Sequence, residues 1–309
     1  MYTLTHKETN GLQFIELSNP DCTSKATICL NQGGRLSDLM FNEIELLADF
    51  DSSTYKDNYA SSILFPFANR IKDGKYTFDG VDYILDCNEV DKNNALHGLV
   101  YNKSFECVDK ELTTNYGSTT LQYKYDGTFK GFPFKFDILL TYKLMESDFS
   151  LSVQISNNDE KAFPFTLGWH PYFVSGSLDS SAICFESSTK YLCDKQQVIS
   201  GTTSLDVEMP YQLEGVKLDD GYELQTNGIK FFTPEYCLNI ASTAKENYLQ
   251  LYTPSTANVI AIEPMTGAAD SFNNKIGLQT LQPHERYNIT WNIAFENLKD
   301  KMKTNQLIT

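Results

Sequence analysis

A large antiparallel β-sandwich is the fold this sequence predicts, on three observations. Apolar and polar residues alternate at period two, Gly-containing pairs punctuate that alternation, and no segment sustains a helical stripe of 12 or more residues. The 309 residues include 20 Phe and 18 Tyr, with hydrophobic residues at 41%, which is enough to fill an extended core between two sheets. Neither an internal repeat nor a Pro/Ser-rich linker divides the chain, so 1–309 is expected to form one domain.

Taken in order, residues 36–50 (LSDLMFNEIELLADF) read as two strands rather than a helix. In KYTFDGVDYIL, Asp79-Gly80 sits between two short alternating runs, and such a pair suits the positive φ angles of a tight hairpin. Leu121, Tyr123 and Tyr125 alternate with Thr120, Gln122 and Lys124. Phe134, Phe136, Ile138, Leu140, Tyr142 and Leu144 then share one face, and after Glu146-Ser147-Asp148 the pattern resumes with Phe149, Leu151, Val153 and Ile155, which makes a long hairpin. Ile289, Trp291, Ile293 and Phe295 form the last apolar face. Asn10-Gly11, Asp73-Gly74 and Asn227-Gly228 mark further turns.

Composition excludes several functions. A net charge of -15 repels nucleic acid and anionic lipid, and Lys299, Lys301 and Lys303, with Asp300 among them, read as a solvated face. The N-terminal stretch lacks a basic region followed by an apolar run, and no 18 apolar residues occur together, so a cytoplasmic location without membrane contact is expected. Seven scattered cysteines without a C-x-x-C pair read as reduced thiols, mostly packed in strands. The four histidines show no metal-ligand spacing, and G-x-S-x-G, the P-loop pattern and G-x-G-x-x-G are absent.

The residues suited to chemistry lie in four segments. His170 follows the strand AFPFTLG in GWHPYF, among Trp169, Tyr172 and Phe173, and an imidazole exchanges protons near neutrality. Glu263 ends the run ANVIAIEP, sharing a face with Val259 and Ala261 while Ile260 and Ile262 face the other way. Burial there would raise its pKa toward that of a general base. Asn69 and Arg70 precede a hairpin, and His97-Gly98 follows in NALHGL, each adding hydrogen-bonding groups. Singly, each has an ordinary structural explanation: a strand-end histidine, a solvated Glu, a salt-bridged Arg, a turn.

Their order is more specific. N-R-I, L-H-G, W-H-P-Y-F, an Asp in L-D-D and I-E-P, in that succession, resemble the aldose 1-epimerase, or galactose mutarotase-like, family from about residue 20 to residue 297, through the closing strand QPHERYNITWNI. The resemblance implies a large antiparallel sandwich with a sugar-binding cleft on one sheet and no metal or organic cofactor. It implies His170 as general acid and Glu263 as general base, with Arg70 and His97 holding hydroxyls and the ring oxygen, and Asn69 beside them. It places the aspartate that binds distal hydroxyls at Asp219, with Asp220 the adjacent alternative; Trp169 and Tyr172, beside His170 in sequence, are the aromatics on which the apolar faces of a sugar ring would pack. Two departures imply a cleft lined differently. Leu99 follows Gly98 where many members have a second Gly, and Leu64-Phe65-Pro66-Phe67 precedes Ala68 where many have Gly-Arg.

The expected activity is therefore interconversion of the anomers of a free aldose. Two alternatives accompany it. One is a hexose-6-phosphate epimerase, which needs a cationic pocket, with Lys72, Lys75 and Lys103 the lysines near the motifs and no arginine cluster, and the other a non-catalytic carbohydrate-binding sandwich, for which an acid and base pair has no use.

Overall fold

The computed structural model describes residues 1–50 and 54–298, and it is built almost wholly from antiparallel strands. Lys299, Lys301 and Lys303 lie outside the described residues. A nine-stranded sheet forms one layer, running from Glu106–Leu112 through Gly117–Tyr125, Phe136–Leu144, Asp148–Asn157, Arg286–Asn297, Tyr236–Ser242, Gly228–Phe232 and Ala182–Phe185 to Tyr211–Gln212. An eight-stranded sheet forms the other, in the order Ile199–Ser204, Thr189–Cys193, Asp219–Leu224, Asn247–Tyr252, Val259–Met265, Gly168–Trp169 and Ile63–Leu64, with Tyr172–Val174 also on Val259–Met265. A five-stranded sheet over Thr3–Glu45 packs against the first layer, where Phe41 stacks on Phe295 and the Tyr142 hydroxyl donates to the Gly34 carbonyl at 2.5 Å.

Alternation in sequence becomes alternation in burial. Along Phe136–Leu144 every second residue is buried, and Asp148–Asn157 continues the pattern in register, Ile138 opposite Ile155 and Leu140 opposite Val153. The inner faces meet through Trp169 on Trp291, Phe173 near Phe231 and Phe185 near Tyr222. One apolar cluster runs from Tyr2 to Phe295.

Residues 36–50 hold strands Arg35–Phe41 and Ile44–Glu45, as the sequence predicts. Among the described residues the α-helices are single turns, Tyr55–Asn58 and Ser271–Asn274. Asn10-Gly11, Asp73-Gly74 and Asp79-Gly80 all carry positive φ at both positions, the requirement for their tight turns. Asn227-Gly228 differs, because it links a strand of one layer to a strand of the other and has no positive φ. Five cysteines lie in strands, but only Cys29 and Cys237 are buried, so packing accounts for fewer thiols than expected; none of the seven is in a disulfide. No helix among the described residues is long and apolar enough to cross a membrane.

Gly98 and Gly80 test the backbone reading against each other. Both have positive φ, +76° and +74°, but a Cβ on Gly98 would meet the Phe65 carbonyl oxygen at 2.2 Å whereas Gly80 faces open space. Gly80→Ala should cost about 1 kcal/mol, the penalty of left-handed backbone alone, and Gly98→Ala about 3 kcal/mol or more, since backbone must move as well. Urea unfolding of both variants measures the difference, and equal costs would contradict the close approach at Gly98.

Candidate active site

Strand Val259–Met265 lays the floor of a cleft on the outer face of the eight-stranded sheet. Ile260 and Ile262 point into the main core, while Val259 and Ala261 pack with Tyr172 and Ala60 on the opposite side. Glu263 shares that side and is 2% exposed. Cross-strand register sets Gln250 opposite Glu263, Tyr252 opposite Ala261, and Asp219 opposite Tyr252. Three adjacent strands therefore aim polar side chains at one place.

His170 enters where Pro171 interrupts pairing between Gly168–Trp169 and Tyr172–Val174. Its backbone is pinned on both sides: the Ser61 N–H donates to the His170 carbonyl at 2.8 Å, and the His170 N–H donates to the Ser62 carbonyl at 3.1 Å. The His170 Nε2 then lies 3.4 Å from Glu263 Oε1. His97 stands edge-on to His170 at 5.1 Å between ring centroids, and Tyr59 packs edge-on against His97 at 4.8 Å.

Asn69 and His97 flank a short ribbon in which Arg70–Lys72 pairs with Asn94–Leu96. Both take left-handed backbone, with φ of 59° and 62°, and the His97 N–H donates to the Asn69 carbonyl at 2.9 Å. Arg70 Nε and Nη2 each donate to Glu89 at 2.8 Å, a two-bond clamp that fixes the guanidinium plane, and Nη1 donates to Asn69 Oδ1 at 3.2 Å. From Asn69 the network continues through Gln250, whose side-chain amide donates to Asp219 Oδ1 at 3.0 Å.

These residues, with Asn58, Lys92 and Tyr172, line an open cleft of about 680 Å³. Burial governs its electrostatics. It pushes the Glu263 carboxyl well above the usual carboxylate range, with the Asp219 charge adding and Arg70 opposing. It pushes the His170 imidazole down to about 4 and that of His97 well below the usual histidine value. Burial would lift Glu89 too, but the Arg70 bonds, with Asn94 and Lys92, hold it at about 2. Glu263 Oε2, His170 Nδ1 and His97 Nδ1 are buried without a protein hydrogen-bond partner, a concentration of unmet polar atoms that a folded chain tolerates where something else binds. Among the described residues no three His, Cys, Asp or Glu side chains gather as a metal would require.

Asn69, Arg70, His97, His170, Tyr172, Asp219 and Glu263 thus meet in one cleft. Asp220 points elsewhere and pairs with Lys190 at 2.8 Å, which separates the two neighbouring aspartates. Trp169 is a correction. It is 0% exposed and stacks on Trp291 in the core, because strand alternation sends it to the face opposite His170. Sequence reasoning missed Glu89, Gln250 and Tyr252. A signal existed for Gln250 and Tyr252, as NYLQLY places Tyr248, Gln250 and Tyr252 on one face; Glu89 lies in an irregular loop that carries none.

Comparison with known proteins covers nearly the whole chain. The family model described as aldose 1-epimerase matches residues 13–294. Human galactose mutarotase is 26% identical over 239 residues, which is 72% of this chain and 64% of that one. Uncharacterized protein YihR of Escherichia coli K12 is 24% identical over 274 residues, 84% of this chain and 87% of that one. A galactose mutarotase-like protein from Clostridium acetobutylicum superposes with a TM-score of 0.85 at 18% identity, covering 96% of this chain and 99% of its own. Galactose 1-epimerase from Lactobacillus acidophilus NCFM superposes at 0.77 with 16% identity, covering 96% and 99%. At such identities the superpositions speak for the fold.

The core position of Trp169 predicts its mutational signature. Trp169→Phe should lower stability by about 1–3 kcal/mol in chemical denaturation, the usual range for lost core packing. An undiminished unfolding midpoint would return Trp169 to the list of cleft residues.

Proposed function

Since the chain belongs to the aldose 1-epimerase family, we propose that it interconverts the α and β anomers of a free aldose by proton transfer between Glu263, His170 and the sugar. The observation that carries this reading is the approach of His170 Nε2 to Glu263 Oε1, 3.4 Å apart at the bottom of a cleft whose other walls are hydrogen-bonding groups. Anomer exchange needs one group that takes the proton of the anomeric hydroxyl and another that gives a proton to the ring oxygen. Glu263 takes the first proton as His170 delivers the second. The bond between the anomeric carbon and the ring oxygen breaks, leaving an open-chain aldehyde. Rotation about the neighbouring carbon–carbon bond turns its other face to the hydroxyl, and reclosure reverses both transfers. The proton count is unchanged at the end. Arg70, His97 and Asn69 supply donors to the hydroxyls and ring oxygen, and Asp219 and Gln250 bind the end remote from the reacting carbon. Tyr172, a neighbour of His170 at 5.0 Å between ring centroids, offers an apolar face to the ring.

A neutral sugar fits the charge inventory better than a phosphorylated one. The cations lining the cleft are Arg70 and Lys92, and both are paired with Glu89. Lys72 pairs with Asp194, and Lys103 lines a different cavity. A phosphate would meet Glu89, Asp219 and Glu263 without a free guanidinium.

The opposed pKa shifts define the working protonation state. With Glu263 raised and His170 lowered to about 4, the pair holds one proton over a wide span of pH. Moving that proton from the Glu263 carboxyl to the His170 imidazole creates the ionised base and charged acid without uptake from solvent. A second proton joins the pair only as pH falls through about 4. The kcat/KM profile should therefore have its acid limb near 4 rather than near the ordinary histidine value of about 6.5. An acid limb centred on that ordinary value would mean that His170 titrates as an exposed imidazole does.

The roles themselves are tested by substitution. Glu263→Gln and His170→Asn should each lower turnover by about 100- to 10,000-fold with the fold retained. NMR saturation transfer between anomers of glucose, galactose and xylose gives the rates. Near-native turnover in either variant would falsify the assignment.

A further inference from the structure

A narrow slit opens from the cleft, sharing Asn69, Arg70, Asp219 and Gln250 with it but neither His170 nor Glu263. Whatever enters it hangs from the part of the sugar remote from the reacting carbon. Beyond those four shared residues its wall is mainly apolar, formed by Tyr191, Tyr248, Ile199, Met265 and Ala268, with Gln197 and the Cys193 thiol at its side. Most of this wall belongs to an apolar cluster separate from the main core. The two phenol hydroxyls are turned to carboxylates, Tyr191 donating to Glu223 and Tyr248 to Glu246, each at 3.4 Å. Gly221 keeps the slit free, for a Cβ there would meet Gln250 Oε1 at 3.3 Å and the Tyr191 ring at 3.4 Å. The space left accepts about one water-sized group, which is also the size of a methyl.

We propose that the preferred substrate is a 6-deoxyaldose, whose terminal methyl fills this slit while Asp219 and Gln250 hold the hydroxyls beside it. The inference rests on the epimerase reading of the same cleft and adds the substrate class. A hydroxymethyl group brings one more heavy atom and a hydroxyl that must shed water against apolar walls, whereas a methyl gains by the same burial.

Matched sugars make the test: D-galactose against 6-deoxy-D-galactose, and D-glucose against 6-deoxy-D-glucose, with kcat/KM for anomer exchange measured by saturation transfer. An apolar pocket discriminates against an added hydroxyl by roughly 10- to 100-fold. A preference of about threefold or more for the 6-deoxy member of either pair supports the proposal. Equal rates within each pair, or faster exchange of the hydroxylated members, overturn it and leave the epimerase reading standing, while acceleration of none of the four sugars, nor of xylose, removes both. Met265→Gln, which puts an amide into the wall, should lower kcat/KM for the 6-deoxy sugar and bring the ratio toward one. Ile199→Asn at a half-buried position provides the same readout should Met265→Gln fail to fold. An unchanged ratio in a folded variant places the methyl elsewhere and counts against the slit.

Discussion

Burial of Glu263 beside His170 is the constraint to which the rest of the cleft answers. An isolated carboxylate taken from water into a protein interior costs several kcal/mol. Here it sits on a strand whose seven residues are all buried. The chain meets this cost with the His170 imidazole at 3.4 Å, the charge of Arg70 nearby, and a proton retained on the pair. On the proposed reading each device also prepares acid–base chemistry: desolvation separates the two groups' proton affinities, proximity lets one proton serve both, and the unmet polar atoms would receive their hydrogen bonds from sugar hydroxyls.

Arg70 transmits this constraint outward. Its charge steadies Glu263, yet a free guanidinium on a long stem would swing, and Glu89 stops it with two parallel bonds. Glu89 belongs to an irregular loop that must itself be held. Asn94 donates both to Glu89 and to the Gln196 carbonyl, Gln196 reaches the Lys92 carbonyl and Asp73, and Lys72 pairs with Asp194. A surface network of ordinary polar contacts therefore fixes the position of a buried charge. The exposed pairs in it contribute little individually, but together they restrict the loop on which the clamp depends.

What the sequence revealed divides along this line. Strand faces were legible because period two is a local property, so the long hairpin around Glu146, the closing strand and the turn of Glu263 to the face opposite Ile260 and Ile262 all follow from alternation. Tight turns were legible where backbone geometry demands a residue type, as at Asp79-Gly80; at Asn227-Gly228 the chain also bends, but it passes between layers without positive φ. Glu89 and the Asn69–Gln250–Asp219 relay were not legible, because loop closure and cross-strand register join residues up to 181 positions apart. Trp169 departs from the sequence reading for a simple reason: neighbours on a strand face opposite ways, so adjacency to His170 in sequence is not adjacency in the cleft.

The inward position of Trp169 also shows how His170 is aimed. Trp169 and His170 are consecutive, and strand geometry commits them to opposite faces, so whichever residue wins the core decides where the other points. An indole buries far more apolar surface than an imidazole. With Trp291 waiting across the layers at 6.1 Å, exchanging the two would place a polar ring in the core and leave an indole in the cleft. The stack holds Trp169 inward, and the Ser61 and Ser62 bonds to the His170 backbone fix the twist that remains. His170 thus needs no hydrogen bond through Nδ1 to orient its ring, which leaves that nitrogen unengaged and Nε2 directed at Glu263. A second side chain often orients a buried histidine; here the core does so.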